Sequence, residues 1–260
     1  MKIIDAHAHI ASWPSLKEAE HLILLSEEKY GIAYSLVSNC DGAEFPSVGD
    51  PTPKGKSTLA CIKETLAFQS RNKERIGALM WIRPYEEKPS EELVEYIKKN
   101  RKRILAIKFH PYEEHLSILS PKLVPWIKLA RQFSFPLLVH CAADRYSSVL
   151  HLEKACRKYA DLTFVAAHLE LCTDNSRCIE IMKRTSNLYA DSAWVKLDNV
   201  KRVLREVGID RIMFGTDNPI DGLDTLDNPI YREYFSPYCG LSEEEKEHFF
   251  HLNAERVYGL

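Results

Sequence analysis

The chain has 260 residues, 45% hydrophobic and 28% charged, which permits a sizeable core and excludes a disordered chain. Its formal net charge is -2 and it has no basic block, so nucleic acid is not an expected partner. No apolar run reaches membrane-spanning length and the N-terminus lacks the order of a signal peptide, so a cytoplasmic protein without a membrane partner is expected.

The chain opens MKIIDAHAHI. Residues 2–5 read as a short buried strand, and an extended backbone would carry His7 and His9 to one face, because side chains alternate along a strand. Apolar residues at helical spacing then mark a helix over residues 16–30, which Gly31 can end. Residues 33–40 form a second strand. A Gly- and Pro-rich loop follows over residues 41–56, long enough to act as a lid or a subunit contact. A helix over residues 57–75, with Ser57 or Thr58 near its start, leads to strand three at residues 77–83.

Ser90 can cap a helix through Lys99, with Glu91 and Glu92 in its first turn. Strand four spans residues 105–110 and stops at Pro111. Pro121 suits the start of a helix to about Gln132. Strand five covers 136–140, a helix 147–159, strand six 163–168 and a helix 175–185. Strand seven covers 188–192, a helix 198–207 and strand eight 211–217. A last helix begins at Ser242, with Glu245 in the capping-box position. Seven cysteines without a Cys-x-x-Cys pair fit free thiols in a reducing compartment.

Strictly alternating strands and helices mean an α/β fold. The strands are continuous apolar runs, as expected of a parallel sheet buried on both faces. Eight such units over residues 1–260 predict a single-domain (β/α)8 TIM barrel. A doubly wound open sheet is the alternative, weakened by the lack of a glycine-rich phosphate loop after strand one.

In such barrels the active site lies at the C-terminal ends of the strands. Here strand one ends in His7 and His9, strand four carries Lys108 and His110, strand five ends in His140, strand six in His168 and strand eight in Asp217. Each alone could be a core histidine, a snorkelling lysine or a turn residue. Together, on a barrel, they meet at one mouth. Imidazoles and a carboxylate there suit a divalent metal, which lowers the pKa of bound water to about 7 for attack on a carbonyl carbon. Asp217 can take and return the proton, and His168 can hold a metal or the substrate oxygen. Cys141 follows His140 but faces the other way, which argues against a thiol nucleophile.

These residues carry a resemblance to the amidohydrolase superfamily. DAHAHI at strand one, IKFHP at strand four, LLVHCA at strand five, VAAHLE at strand six, MFGTDNP at strand eight and NAERVYGL at the end resemble the family's ordered motifs. The most similar branch holds compact metal-dependent hydrolases and some nonoxidative decarboxylases. The resemblance implies a metal shell of His7, His9, His140 and Asp217 in a single-metal form, with His168 acting on substrate. In a two-metal form, Lys108 would bridge the ions as a carboxylated lysine and His140 and His168 would hold the second. The expectation leans to one ion, zinc foremost. A metal-dependent hydrolase of an amide, ester or lactone is the leading function, a decarboxylase the alternative, and a non-catalytic binding barrel the third.

Loops after the strands should set specificity. Trp13, Glu113 and Trp194 are mouth candidates, and His110, Arg83, Tyr112 and Arg145 are the expected substrate contacts. The two arginines could clamp a carboxylate or phosphate, which predicts a small anionic substrate. A homo-oligomer is compatible with the sequence.

Overall fold

The computed structural model describes residues 1–13, 15–46, 55–220 and 228–260. Its eight strands are β1 Ile4–Ile10, β2 Tyr34–Asn39, β3 Ile76–Trp81, β4 Ile104–Phe109, β5 Leu137–Ala142, β6 Phe164–Leu171, β7 Leu188–Asp191 and β8 Ile212–Met213. They lie side by side in chain order and every neighbouring pair is parallel. Backbone bonds from Ala6 N–H to Phe214 O (2.9 Å), from Asp217 N–H to His7 O (2.7 Å) and from His9 N–H to Asn218 O (2.6 Å) join the two ends. The expected TIM barrel is the observed architecture.

The helices alternate with the strands: α1 Leu16–Tyr30, α2 Thr58–Arg71, α3 Glu91–Lys99, α4 Val124–Phe133, α5 Val149–Lys158, α6 Ser176–Lys183, α7 Leu197–Glu206 and α8 Pro229–Tyr234. The chain ends in α9 Glu243–Glu247, a π-helical turn His248–Leu252 and α10 Asn253–Tyr258. The caps are the expected ones. Ser57 accepts from Ala60 N–H, Ser90 accepts from Leu93 N–H, and Ser242 with Glu245 forms a reciprocal capping box. Gly31 ends α1 at φ 67°, a left-handed conformation that glycine adopts at no steric cost.

Buried side chains pack on both faces of the sheet, in three clusters among the described residues. Inside the barrel, Ile4, Ala6, Leu36, Leu79, Ala106, Leu138, Val165, Ala167 and Met213 pack together, with Ala254 and Tyr258 of α10 joining them. Outside, the other strand faces pack on the helices, with Phe109, Trp126, Phe135, Phe164, Phe214, Phe249 and Phe250 among the large side chains of that layer. Among the described residues no helix is long and apolar enough to cross a membrane. All seven cysteines are free.

Three strands differ most from the expected spans: β1, expected over residues 2–5, runs Ile4–Ile10 and so includes His7 and His9 within the strand. β8 is a regular strand for two residues only, against the expected 211–217. Beyond Met213 the chain must turn Asp217 towards β1, and Asp217 has a positive φ of 63°. Gly215 passes so close to β1 that a Cβ there would lie 3.1 Å from His7 Cβ. β6 runs past its expected end at 168 to Leu171, with His168, Leu169 and Glu170 all at positive φ (63°, 48° and 74°). The middle of the expected 41–56 loop, and part of the loop after β8, lie outside the described residues.

Candidate metal centre and active site

The register of β1 against β2 shifts between Asp5 and Ala8. The shift lets Ile4 face the barrel interior while His7 and His9 also reach its mouth. Both imidazoles are buried. His7 Nε2 lies 3.1 Å from His9 Nε2, and Asp217 Oδ1 lies 3.2 Å from the first and 3.1 Å from the second. Three atoms with lone pairs thus converge on one point.

Burial, the largest influence, holds His7 well below the ordinary histidine range; Lys108 adds to it. Burial likewise lowers His9, against the pull of Asp217. Burial tends to raise Asp217, but His168, His7 and His9 outweigh it and hold the carboxyl below its usual range. Lys108 Nζ lies 2.6 Å from His7 Nε2, and burial, the largest influence, lowers its pKa.

The donor set fits a divalent ion. Bonds of about 2.1 Å to a tetrahedral ion put neighbouring ligand atoms about 3.4 Å apart, near the 3.1–3.2 Å separations of His7, His9 and Asp217. His7, His168 and Asp191 make a second group of closely spaced buried donors.

The surroundings orient these ligands, as second partners of metal ligands do. His7 Nδ1 sits 3.0 Å from Asp191 Oδ2, a close contact poorly angled for a hydrogen bond. Asp191 Oδ1 accepts from His168 N–H (3.0 Å) and Ala193 N–H (3.1 Å). Ser38 Oγ lies 2.8 Å from His9 Nδ1. Trp194 Nε1 donates to Asp217 Oδ2 at 3.1 Å, which fixes the carboxylate's rotation. Asn175 Nδ2 donates to the carbonyls of Leu169 (2.8 Å), Glu170 (3.2 Å) and His168 (3.4 Å), bracing three consecutive left-handed residues. Such conformations cost about 1–3 kcal/mol each and persist where the surroundings over-determine them.

His140 and His110 stack with centroids 3.8 Å apart, and His140 lies 4.8 Å from His168. His140 is buried and adjoins the centre through His168, but it is in neither closely spaced donor group. Trp81 stacks on His110 (5.6 Å) and meets His9 edge-on (6.0 Å). Tyr112 is exposed. The two arginines have other partners. Arg83 is buried and paired with Glu44 and with Glu87 (3.3 Å); Arg145 bonds the Tyr146 hydroxyl and lies over that ring. The expected anion clamp is not formed by these contacts.

Asp5 and Asp191 are absent from the sequence reading. Asp191 closes the run LYAD, the same signal that drew attention to His140 and His168. Asp5 Oδ1 accepts from His7 N–H (3.0 Å) and Thr216 N–H (3.0 Å), and its Oδ2 lies 2.5 Å from Thr216 Oγ1. It thereby staples β1 to the segment that presents Asp217. Burial pushes Asp5 up to about 7. Because the folded value lies above the unfolded one, its share of stability is full below about pH 4 and is lost as pH rises through about 7. Asparagine copies the protonated form. Asp5→Asn should therefore gain in melting temperature relative to wild type between pH 5 and pH 8, and parallel pH profiles of the two proteins would refute this.

An eight-stranded parallel barrel gathers histidines and an aspartate at its strand ends, a donor set that could hold a divalent ion. The family model described as Amidohydrolase matches residues 4–260, and the chain belongs to that family. No curated protein matches the sequence. Among solved structures, an uncharacterised TIM-barrel protein of Bordetella bronchiseptica is 16% identical, with a TM-score of 0.70 over 100% of this chain and 99% of its own. A 5-carboxyvanillate decarboxylase of Novosphingobium aromaticivorans with bound manganese is 13% identical, with a TM-score of 0.71 over 100% and 97%. A probable 2-pyrone-4,6-dicarboxylic acid hydrolase of Acinetobacter baumannii with citric acid bound is 10% identical, with a TM-score of 0.65 over 100% of both chains. At these identities the likeness establishes the fold.

Proposed function

We propose that the protein is a metal-dependent hydrolase of small amides, esters or lactones. The observation that carries this reading is the division of Asp217: Oδ1 joins His7 and His9, while Oδ2 is held by Trp194. In this reading His7, His9 and Asp217 hold a divalent ion, zinc foremost, with His140 completing the shell. When bound, the ion polarises a carbonyl oxygen and makes water acidic enough to attack at neutral pH. Asp217 takes the water's proton and delivers it to the leaving group. His168, its Nδ1 3.2 Å from Ala193 O, presents its other nitrogen to the substrate oxygen. Lys108 and His168 would join the shell if two ions bind. His110 and Tyr112 form the substrate wall; Arg83 and Arg145 would have to leave their present partners to join them.

A second reading is decarboxylation. The Trp81–His110–His140 stack offers an aromatic wall beside the centre, suited to an aromatic acid. The decarboxylase among the structural relatives supports it. The two reactions are separated by their products. Protein loaded with zinc or manganese is incubated with a panel of lactones, esters and hydroxybenzoates. Acid release without CO2 is the expected result; CO2 release selects the second reading. Turnover in neither assay would overturn both.

A further inference from the structure

A cavity of about 300 Å³ opens beside the reaction centre, between the segment after β6 and the start of α7. His168 and Trp194 form one side of it. Trp194 is also the residue that holds Asp217, so the indole is shared by the cavity and the centre. Lys196, Arg202 and Asn199 also line the cavity. The Lys196 side chain is exposed and has no hydrogen-bond or ion-pair partner among the described residues. Arg202 turns Nη1 and Nη2 to neutral oxygens, Ser176 Oγ (both 3.2 Å) and Asn199 Oδ1 (3.2 Å), with Glu206 farther off at 3.6 Å from Nε. The one lining carboxylate, Asp174, is engaged by Ser176 N–H (3.0 Å) and Oγ (3.1 Å). α7 begins directly after Lys196 without a side-chain cap, so its positive end adds to the field.

We propose that this cavity is a carboxylate subsite, with Lys196 and Arg202 as its cations, which receives an acidic group of the substrate whose reacting carbon lies at the His7–His9–Asp217 centre. The inference rests on the proposed function for that centre. It moves anion recognition from Arg83, paired with Glu44 and Glu87, and from Arg145, which bonds the Tyr146 hydroxyl, to Lys196, whose side chain has no partner among the described residues. Lys196 and Arg202 both line the cavity, so both cations can meet one carboxylate, while the Asn199 amide is held between Asn175 Oδ1 (2.7 Å) and Arg202 Nη1 (3.2 Å).

The test is calorimetry on zinc-loaded protein at low ionic strength, where surface charges are least screened. The probes are linear diacids from succinate to pimelate, each paired with the monoacid of equal length. One diacid should bind at least ~10-fold more tightly than its monoacid, a difference on the scale of one charge-assisted contact. K196Q should lose most of that preference and K196Q/R202Q all of it. Lys196 is exposed, so K196Q tests the idea even if the double variant unfolds. Equal binding of diacids and monoacids, no binding of either, or a preference that survives K196Q would overturn the subsite. Binding needs no turnover, which keeps the two readings apart. A diacid preference lost in K196Q, in a protein that turns over nothing, keeps the subsite and removes the hydrolase. Turnover without a diacid preference does the reverse.

Discussion

His7→Ala is expected to lose its metal. Wild-type protein purified without added metal or chelator should carry about one equivalent of a divalent ion, the number one His–His–Asp centre can hold. The variant should carry less than about a tenth of that, since removing one of a few ligands costs far more affinity than disturbing an outer partner, itself worth about 10–100-fold. His7 is the hub of the site. Its Nε2 faces His9 (3.1 Å), Asp217 (3.2 Å) and Lys108 (2.6 Å), and its Nδ1 faces Asp191 (3.0 Å). Elemental analysis of both proteins gives the answer directly. Two equivalents in the wild type would bring Lys108 into the shell. No metal in the wild type, and none taken up on incubation, would undo the metal centre and with it the proposed chemistry.

Asp217→Asn should lower kcat by about 10²–10⁴-fold, the usual weight of a positioned proton-transfer group, on whichever substrate the panel reveals. The amide keeps the shape of the carboxylate and can still accept from Trp194 Nε1, which now sits 3.1 Å from Oδ2. What it loses is the charge beside His7 and His9 and the capacity to take a proton. KM should change less than kcat, because an interaction made mainly in the transition state is removed. Metal content is measured in parallel, to separate a lost ligand from a lost base. A variant with full metal and near-wild-type kcat would remove Asp217 from catalysis. A metal-free variant would place its main weight on binding.

The residues legible in the sequence share one property: a polar side chain that closes an apolar run. His7, His9, His140, His168 and Asp217 were found that way, and all lie in the structure near one barrel mouth. Asp191 ends such a run too, but of four residues only, and its value lies in facing His7 and the backbone of His168. Asp5 sits inside the first strand, where nothing local tells a structural staple from a helix- or turn-bound carboxylate. Its partners, His7 N–H and Thr216, are set by closure of the barrel. The arginines show the converse. Arg83 and Arg145 stand after strand ends, yet Arg83 is paired with Glu44 and Glu87 and Arg145 bonds the Tyr146 hydroxyl, while the Lys196 side chain has no partner among the described residues.

The alternation of strands and helices, the helix caps at Ser57, Ser90 and Ser242, and hence the barrel and the end at which its polar groups gather, are legible along the chain. These follow from local rules, since burial periodicity and capping are written within a few residues of chain. Tertiary structure decided the partners. It shortened β8 to Ile212–Met213, turned Asp217 onto His7 and His9, coupled Trp194 to Asp217 and opened the cavity under Lys196. Those contacts join residues apart in the chain, because a hydrogen bond or ion pair is chosen by distance in space and not by spacing in sequence.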